Sequence, residues 1–276
     1  MTLAQINPVV TLVLITCTGI LLRRFHVLSL QDAETLRKIV FNLSLPALIF
    51  SSLYNNTIPL NALWIIPGVM IIQSIGYLLF RLAPKASRET IFSGFLGNTG
   101  FMGFPLTQSM LGAATLPCSI IYDQAHSFMA ASVWLHRNLR HLLNPPLAAI
   151  VLAFALKHVP LPAFLLDGCT MIGNTASPLA MLLIGVNFEP EFSWQSFLAA
   201  GIKLMAVPAV ALLLARILPM SSTVRDAFLL ESAMPTMAVS VVYGAEIGLD
   251  IQKLSRNVVV CTLLFPLTLL LWHLFF

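Results

Sequence analysis

At 276 residues, 58% hydrophobic and 9% charged, with a mean hydropathy of +0.89, the chain has too little polar surface to coat a soluble globule. Its formal charge of +4 comes from basic residues at the ends of apolar runs, which speaks of membrane orientation and not of nucleic acid. Cys17, Cys118, Cys169 and Cys261 stand singly in apolar sequence, a spacing that gives no disulfide framework and no zinc site.

A hydrocarbon core about 30 Å thick takes roughly 20 apolar residues per helix, and open strands cannot cross it. Ten apolar runs follow in chain order, at 5–22, 36–54, 62–82, 89–111, 115–135, 142–159, 168–187, 196–218, 224–245 and 254–276. The first has no basic segment ahead of it and ends at Arg23-Arg24 without a small-residue cleavage site, so it reads as a retained span. The expected fold class is therefore an all-α polytopic membrane protein.

The runs repeat. Asn42 with Pro46 returns as Asn174 with Pro178, at an offset of 132, and Asn7-Pro8 returns as Asn144-Pro145, at 137. Arg81 with Pro84 returns as Arg216 with Pro219, and Arg88-Glu89 as Arg225-Asp226, at 135 and 137. The repeats are residues 1–137 and 138–276, five runs in each, and an odd number of spans forces the second copy to be inverted. With the N-terminus outside, eleven Lys and Arg fall on cytoplasmic ends and three on outer ends, with Lys203 inside a span. This bias predicts both termini outside and a cytoplasmic joint around Arg137 to Asn144.

The fourth run carries Gly94, Gly97, Gly100 and Gly103 ahead of Pro105. Gly costs about 1 kcal/mol relative to Ala in a helix interior and Pro removes a backbone bond, so this run is expected to break; close helix packing through small residues is the plainer alternative. At the 137 offset Asn98 falls on Pro235, inside Glu231-Ser232-Ala233-Met234-Pro235-Thr236, so the ninth run breaks at the matching depth. Paired interrupted spans point to the binding site of a transporter, because unwound N–H groups and half-helix ends lie near the midplane.

The stretch from Gly97 to Leu106 resembles the signature of the auxin efflux carrier family. Ala233-Met234-Pro235-Thr236 resembles that family's second breaker, and Ser177-Pro178-Leu179-Ala180-Met181 its seventh span. The resemblance covers essentially the whole chain. It implies ten helices, with the fourth and ninth broken at prolines and crossing, a scaffold of helices 1, 2, 6 and 7, and a moving transport domain of helices 3–5 and 8–10 working as an elevator. Plant carriers of the long type have a large hydrophilic loop after the fifth span. Here about ten residues stand there, which resembles the bacterial branch and argues against auxin as substrate.

Asn98 and Thr99 lie in the first break, where an amide and a hydroxyl suit a carboxylate or, more plainly, cap helix ends. With Pro105, Pro235 and Thr236 they make the expected substrate site. Four ionisable residues inside spans mark an ion path: Lys203, Glu231, and Asp123 with His126, three apart on one helix face. Their plainer readings are snorkelling for Lys203, a salt bridge for Glu231 and a mutually bonded pair for Asp123 and His126. Asn42 and Asn174 are expected to satisfy groups freed by Pro46 and Pro178.

No GxxxxGK[ST] loop, HExxH helix or GxSxG elbow occurs, so the expectation is no enzyme, no cofactor and no catalytic or metal site. The function expected is gradient-driven efflux or exchange of a small organic anion by alternating access, with a proton or sodium gradient as driver. The place expected is the inner membrane, with the lipid bilayer as environment and scaffold helices free to form a homodimer. An anion-binding sensor and a monovalent cation/proton antiporter are the rival readings.

Overall fold

The computed structural model describes residues 3–135, 144–188 and 191–275; it is helical throughout, with no strand among these residues. Each apolar run lies on helix. The elements are α1 (Leu3–Arg24), α2 (Leu30–Asn55), α3 (Leu60–Leu82), α4a (Arg88–Phe95) with α4b (residues 99–111), and α5 (residues 116–134). They continue as α6 (Pro145–Leu156), α7 (Ala163–Val186), α8 (Trp194–Ile217), α9a (Ser222–Ser232) with α9b (Ser240–Glu246), and α10 (Ile251–Phe275). Among them α2, α3, α7, α8 and α10 are each long and apolar enough to cross a bilayer. Leu60, Ile217 and Leu82 are 75% or more exposed, an arrangement that suits contact with lipid. The joint expected around Arg137 to Asn144 and the 137/138 repeat boundary fall on residues 136–143, outside the described residues, as do Met1 and Phe276.

Prolines inside these helices are accommodated by widening and not by kinking alone. Five-residue π-helical turns at Val40–Ser44, Thr99–Gly103 and Ile202–Ala206 each end two residues before a proline, Pro46, Pro105 and Pro208. In an ordinary α-turn the ring of Pro clashes with the carbonyl four residues back; bonding to the fifth residue back widens the turn just ahead of the ring. Leu45 bonds the Val40 carbonyl and Val207 the Ile202 carbonyl in this way.

The chain folds into two compact units. Unit one gathers Met1–Ile58, Gly100–Ile120 and Leu143–Phe188, that is α1, α2, α6, α7, α4b and the start of α5. Here α1 crosses α7 at Gly19 and Gly185. A Cβ on Gly19 would strike the Leu182 carbonyl oxygen, and one on Gly185 the Thr16 carbonyl oxygen, so only glycine permits this approach. Gly173 of α7 likewise presses on the α2 backbone at Leu48, 2.8 Å from the position of a Cβ. The helix ends are capped crosswise. Arg23, ending α1, donates to the Val186 carbonyl that ends α7 at 2.8 Å, and Lys157, ending α6, donates to the Leu53, Tyr54 and Asn56 carbonyls at the end of α2 at 2.6–2.9 Å. A cation at a helix C-terminus both satisfies carbonyls and opposes the negative end of the dipole.

The expected roles of Asn42 and Asn174 are corrected here. Asn42 donates one turn back, to the Lys38 carbonyl at 2.8 Å, while the widened turn accommodates Pro46. At the second position Thr175 makes the contacts, donating to the Ile172 carbonyl at 2.6 Å and meeting the Ser44 hydroxyl at 2.8 Å.

Unit two gathers Pro59–Thr99, Ile121–Leu142 and Glu189–Phe276, that is α3, α4a, most of α5, α8, α9 and α10. Gly68 of α3 admits the Phe228 ring, and Gly94 of α4a admits Ile202 of α8, with Cβ positions 2.8 and 2.7 Å from those side chains. Small-residue packing and helix breaking are thus both used in the glycine-rich run.

Candidate functional site

The fourth and ninth helices are both interrupted in unit two, and their interruptions pair. Leu96 leaves the α-helix with an extended backbone (φ −95°, ψ 102°), and Gly97 faces Thr236 across an antiparallel bridge. Asn98 N–H donates to the Pro235 carbonyl at 2.7 Å, and Met237 N–H to the Leu96 carbonyl at 3.0 Å. Residues 98 and 235, which stand 137 positions apart, therefore lie opposite one another. Two broken helices leave backbone groups without intrahelical partners, and this pairing satisfies some of them within protein at a depth where water is scarce.

The remaining groups at the breaks are met by side chains from α3, α5, α8 and α10. Gly97 N–H donates to His126 Nε2 at 3.1 Å, which places the ring proton on Nδ1, and Thr236 N–H donates to Cys261 Sγ at 3.3 Å. The Phe95 carbonyl accepts from Gln73 Nε2 at 2.8 Å, and Gln73 Oε1 accepts from the Trp134 indole at 3.0 Å. On the α9 side the Ser232 carbonyl accepts from Lys203 Nζ at 2.7 Å. Thr99 donates to Asp123 Oδ1 at 2.5 Å, and Thr236 donates to the Ser93 carbonyl at 2.8 Å. Asn257 of α10 also bonds the Ser93 hydroxyl, at 3.1 Å.

Several expectations change. The N–H groups of Gly97, Asn98, Thr236 and Met237 all have protein acceptors, so these four are not open to a ligand. The interruption falls at Leu96–Asn98 and not at Pro105, which sits buried in the helical turn Phe104–Leu106 behind its widened turn and belongs to unit one. Asp123 and His126 bond the two sides of the first break and not each other. Lys203 does not snorkel: it is 2% exposed and its ammonium points at the end of α9a.

Asn98, Pro235, Thr236, Thr99, Lys203, Glu231 and His126 are all buried in one unit, with Asp123 half-buried beside them. The Asn98 side chain is 7% exposed and makes no hydrogen bond among the described residues. Successive side chains of an extended segment point to opposite faces. Asn98 and Pro235 therefore share one face of the pair, and Gly97 and Thr236 the other. On that second face Lys203 packs against Gly97, with Cε 3.0 Å and Nζ 3.3 Å from the position of a Cβ. Glu231, the penultimate residue of α9a, is fully buried and within electrostatic range of Lys203.

The Membrane transport protein family matches this chain over residues 4–138 and 129–273. The chain belongs to that family, the auxin efflux carriers. It is 27% identical to an uncharacterized transporter of Methanothermobacter thermautotrophicus, covering 96% of each chain. It is also 23% identical to an uncharacterized transporter of Methanocaldococcus jannaschii, covering 96% of this chain and 97% of that one. The protein is accordingly a multi-pass membrane transporter of the auxin efflux carrier family. Gln73, Cys261 and Ser93 are the site residues that the sequence reading left out. Gln73, a lone amide in an apolar run, was the one with a visible signal.

Proposed function

We propose that this member of the auxin efflux carrier family is a secondary transporter of a small organic anion, a carboxylate by preference, working by alternating access. The observation that carries the reading is the unpartnered, nearly buried amide of Asn98 on the pair of crossing breaks, beside Pro235. The amide makes no bond to protein among the described residues and keeps a small exposure, so its donors and acceptor are available to a ligand that enters there. In this reading the Asn98 and Pro235 face takes substrate, and the opposite face, with Lys203 and Glu231, carries coupling to a proton or sodium gradient.

The pairing of residues 98 and 235 supports two inverted repeats of five spans, since a two-fold axis through the pair would set equivalent residues opposite one another. The crosswise caps of Arg23 and Lys157 fit the same symmetry, each closing the second helix of the other copy. Unit one holds α1, α2, α6 and α7 together with α4b and the start of α5, so the helices proposed as scaffold fall in one unit, and unit two holds both interruptions, which suits the moving part of an elevator. In this reading both termini lie outside a cell inner membrane, which the bias of the basic residues supports. Thr99 and Asp123 serve to hold the first break in shape, and Pro105 to shape the helix that follows.

The test is flux in proteoliposomes with a panel of small carboxylates. Asn98→Ala should weaken binding by roughly 5-fold to 150-fold, the equivalent of about 1 to 3 kcal/mol, with folding intact. Glu231→Gln should keep substrate exchange and lose accumulation driven by a proton gradient, since an amide keeps shape without titrating. Unchanged affinity in a folded Asn98→Ala protein would reduce Asn98 to a structural residue, and retained proton-driven accumulation in Glu231→Gln would remove Glu231 from coupling.

A further inference from the structure

A cavity of ≈ 350 Å³ with a cationic rim lies in unit two at the ends of α3 and α4a, lined by residues other than those of the crossover. Its walls include Arg81, Lys85 and Arg88 and a single carboxylate, Glu89, three positive charges against one negative, or +2 formally. One oxygen of Glu89 is engaged outside the cavity: Oε1 accepts from Asp250 N–H at 3.3 Å and lies 3.8 Å from Lys253 Nζ, while Oε2 is buried without a hydrogen-bond partner among the described residues. Arg81, Lys85 and Arg88 have no ion pair among the described residues. Arg88 stacks over the Phe80 ring, 5.4 Å from its centroid, and its Nε is buried without an acceptor.

The base of the cavity is rigid. Trp134, fixed by its bond to Gln73, packs edge-on against Phe80 and Phe92 at centroid distances of 5.5 and 5.4 Å. Beyond the cavity, Leu78 and Leu82 of α3 are exposed apolar residues. Three cations against one carboxylate leave an excess of positive charge, and an anion that enters between them offsets it. The planar guanidinium fork suits the oxygens of a phosphate, and an arginine lying on an aromatic face keeps its edge N–H groups for such an acceptor.

We infer that this cavity binds a phosphate group, carried by an anionic phospholipid headgroup or by a soluble phosphomonoester, at a site separate from the transport site. Its lining joins the outer ends of both broken helices, because Arg88 opens α4a and residues 247–249 link α9b to α10. Gly248 turns that link with φ +78°, a conformation that other residues adopt at a cost. An occupant therefore holds α4a and the end of α9b together and regulates their relative motion.

The experiment uses the purified full chain in neutral detergent, with binding followed by native mass spectrometry and by thermal stabilisation. The probes are dioctanoyl phosphatidylglycerol, glycerol 3-phosphate and, as a phosphate-free control, dioctanoylglycerol. At least one phosphate probe should bind and the control should not. Arg81→Gln and Arg88→Gln should each weaken that binding by about tenfold, whereas Arg216→Gln, which does not line the cavity, should leave it unchanged. Lys85→Gln, at an exposed side chain, carries the test if an arginine variant fails to fold. Binding of the lipid alone assigns the site to a headgroup, and equal binding of glycerol 3-phosphate assigns it to a soluble phosphomonoester. Failure of both phosphate probes to exceed dioctanoylglycerol, or wild-type binding by a folded Arg81→Gln/Arg88→Gln protein, would overturn the inference.

Discussion

The two breaks of unit two share a backbone plan and differ in the chemistry that completes it. Each half-helix ends on a carbonyl that a long side chain satisfies, and Phe95 and Ser232 are 137 positions apart; the first accepts from a neutral amide, Gln73, and the second from a cation, Lys203. Each bridging residue gives its N–H to the helix that follows its break, Gly97 to His126 of α5 and Thr236 to Cys261 of α10. The two threonines at the 137 offset part company, Thr99 binding a carboxylate and Thr236 a carbonyl. Hydrogen bonding is thus of the same kind at both breaks, while the buried cation with a carboxylate nearby, Lys203 and Glu231, stands on the ninth-helix side. Backbone satisfaction is a demand the membrane makes of both halves equally. A buried charge is not required for that satisfaction, and under the proposed function its place beside one break is what couples transport to a gradient.

That comparison predicts different losses when each side is damaged. Gln73→Leu strands both the Phe95 carbonyl and the Trp134 indole, each worth about 1 to 3 kcal/mol when buried unpaired, so it should give the largest fall in unfolding free energy. Lys203→Met strands the Ser232 carbonyl, removes a charge-assisted bond worth about 1.5 to 3 kcal/mol and takes from buried Glu231 the cation near it, and it should abolish gradient-driven accumulation. Lys203→Gln sharpens the contrast. It makes the second break chemically like the first, so it should recover much of the stability and none of the coupling in the same flux assay. Coupling retained in Lys203→Gln would show that the charge difference between the copies has no transport role.

Cys261→Ser is the mildest change, since a hydroxyl accepts from Thr236 N–H in place of the thiol. Its unfolding free energy should stay within about 1 kcal/mol of wild type. A larger fall would mean that Cys261 contributes packing beyond its bond to Thr236 N–H.

The helices, their order and the existence of two breaks were legible in the sequence because they rest on local composition. Apolar length marks a helix, and clustered Gly and Pro mark its failure. The position of the first break was less legible. Pro105 looked like the breaking residue, yet the widened turn at Thr99–Gly103 accommodates its ring, and the chain opens instead at Leu96–Asn98, where Gly97 lets Lys203 approach. Lys203 itself could be read as snorkelling, because its stem is long enough to reach either the surface or the end of α9a. Partners such as Gln73 with Phe95, or Cys261 with Thr236, are more than twenty residues apart and joined only by tertiary packing. No spacing rule announces them.

The account's central claim is that the Asn98 and Pro235 face opens in turn to the two sides of the membrane. The direct measurement places a single thiol there, Asn98→Cys in a protein with Cys17, Cys118, Cys169 and Cys261 replaced by serine, and labels it with a charged, membrane-impermeant thiol reagent in right-side-out and inside-out vesicles. Alternating access predicts labelling in both vesicle types, slowed by the carboxylate that the flux assay identifies as substrate. Labelling from one side only, or from neither in a protein that still transports, would contradict it.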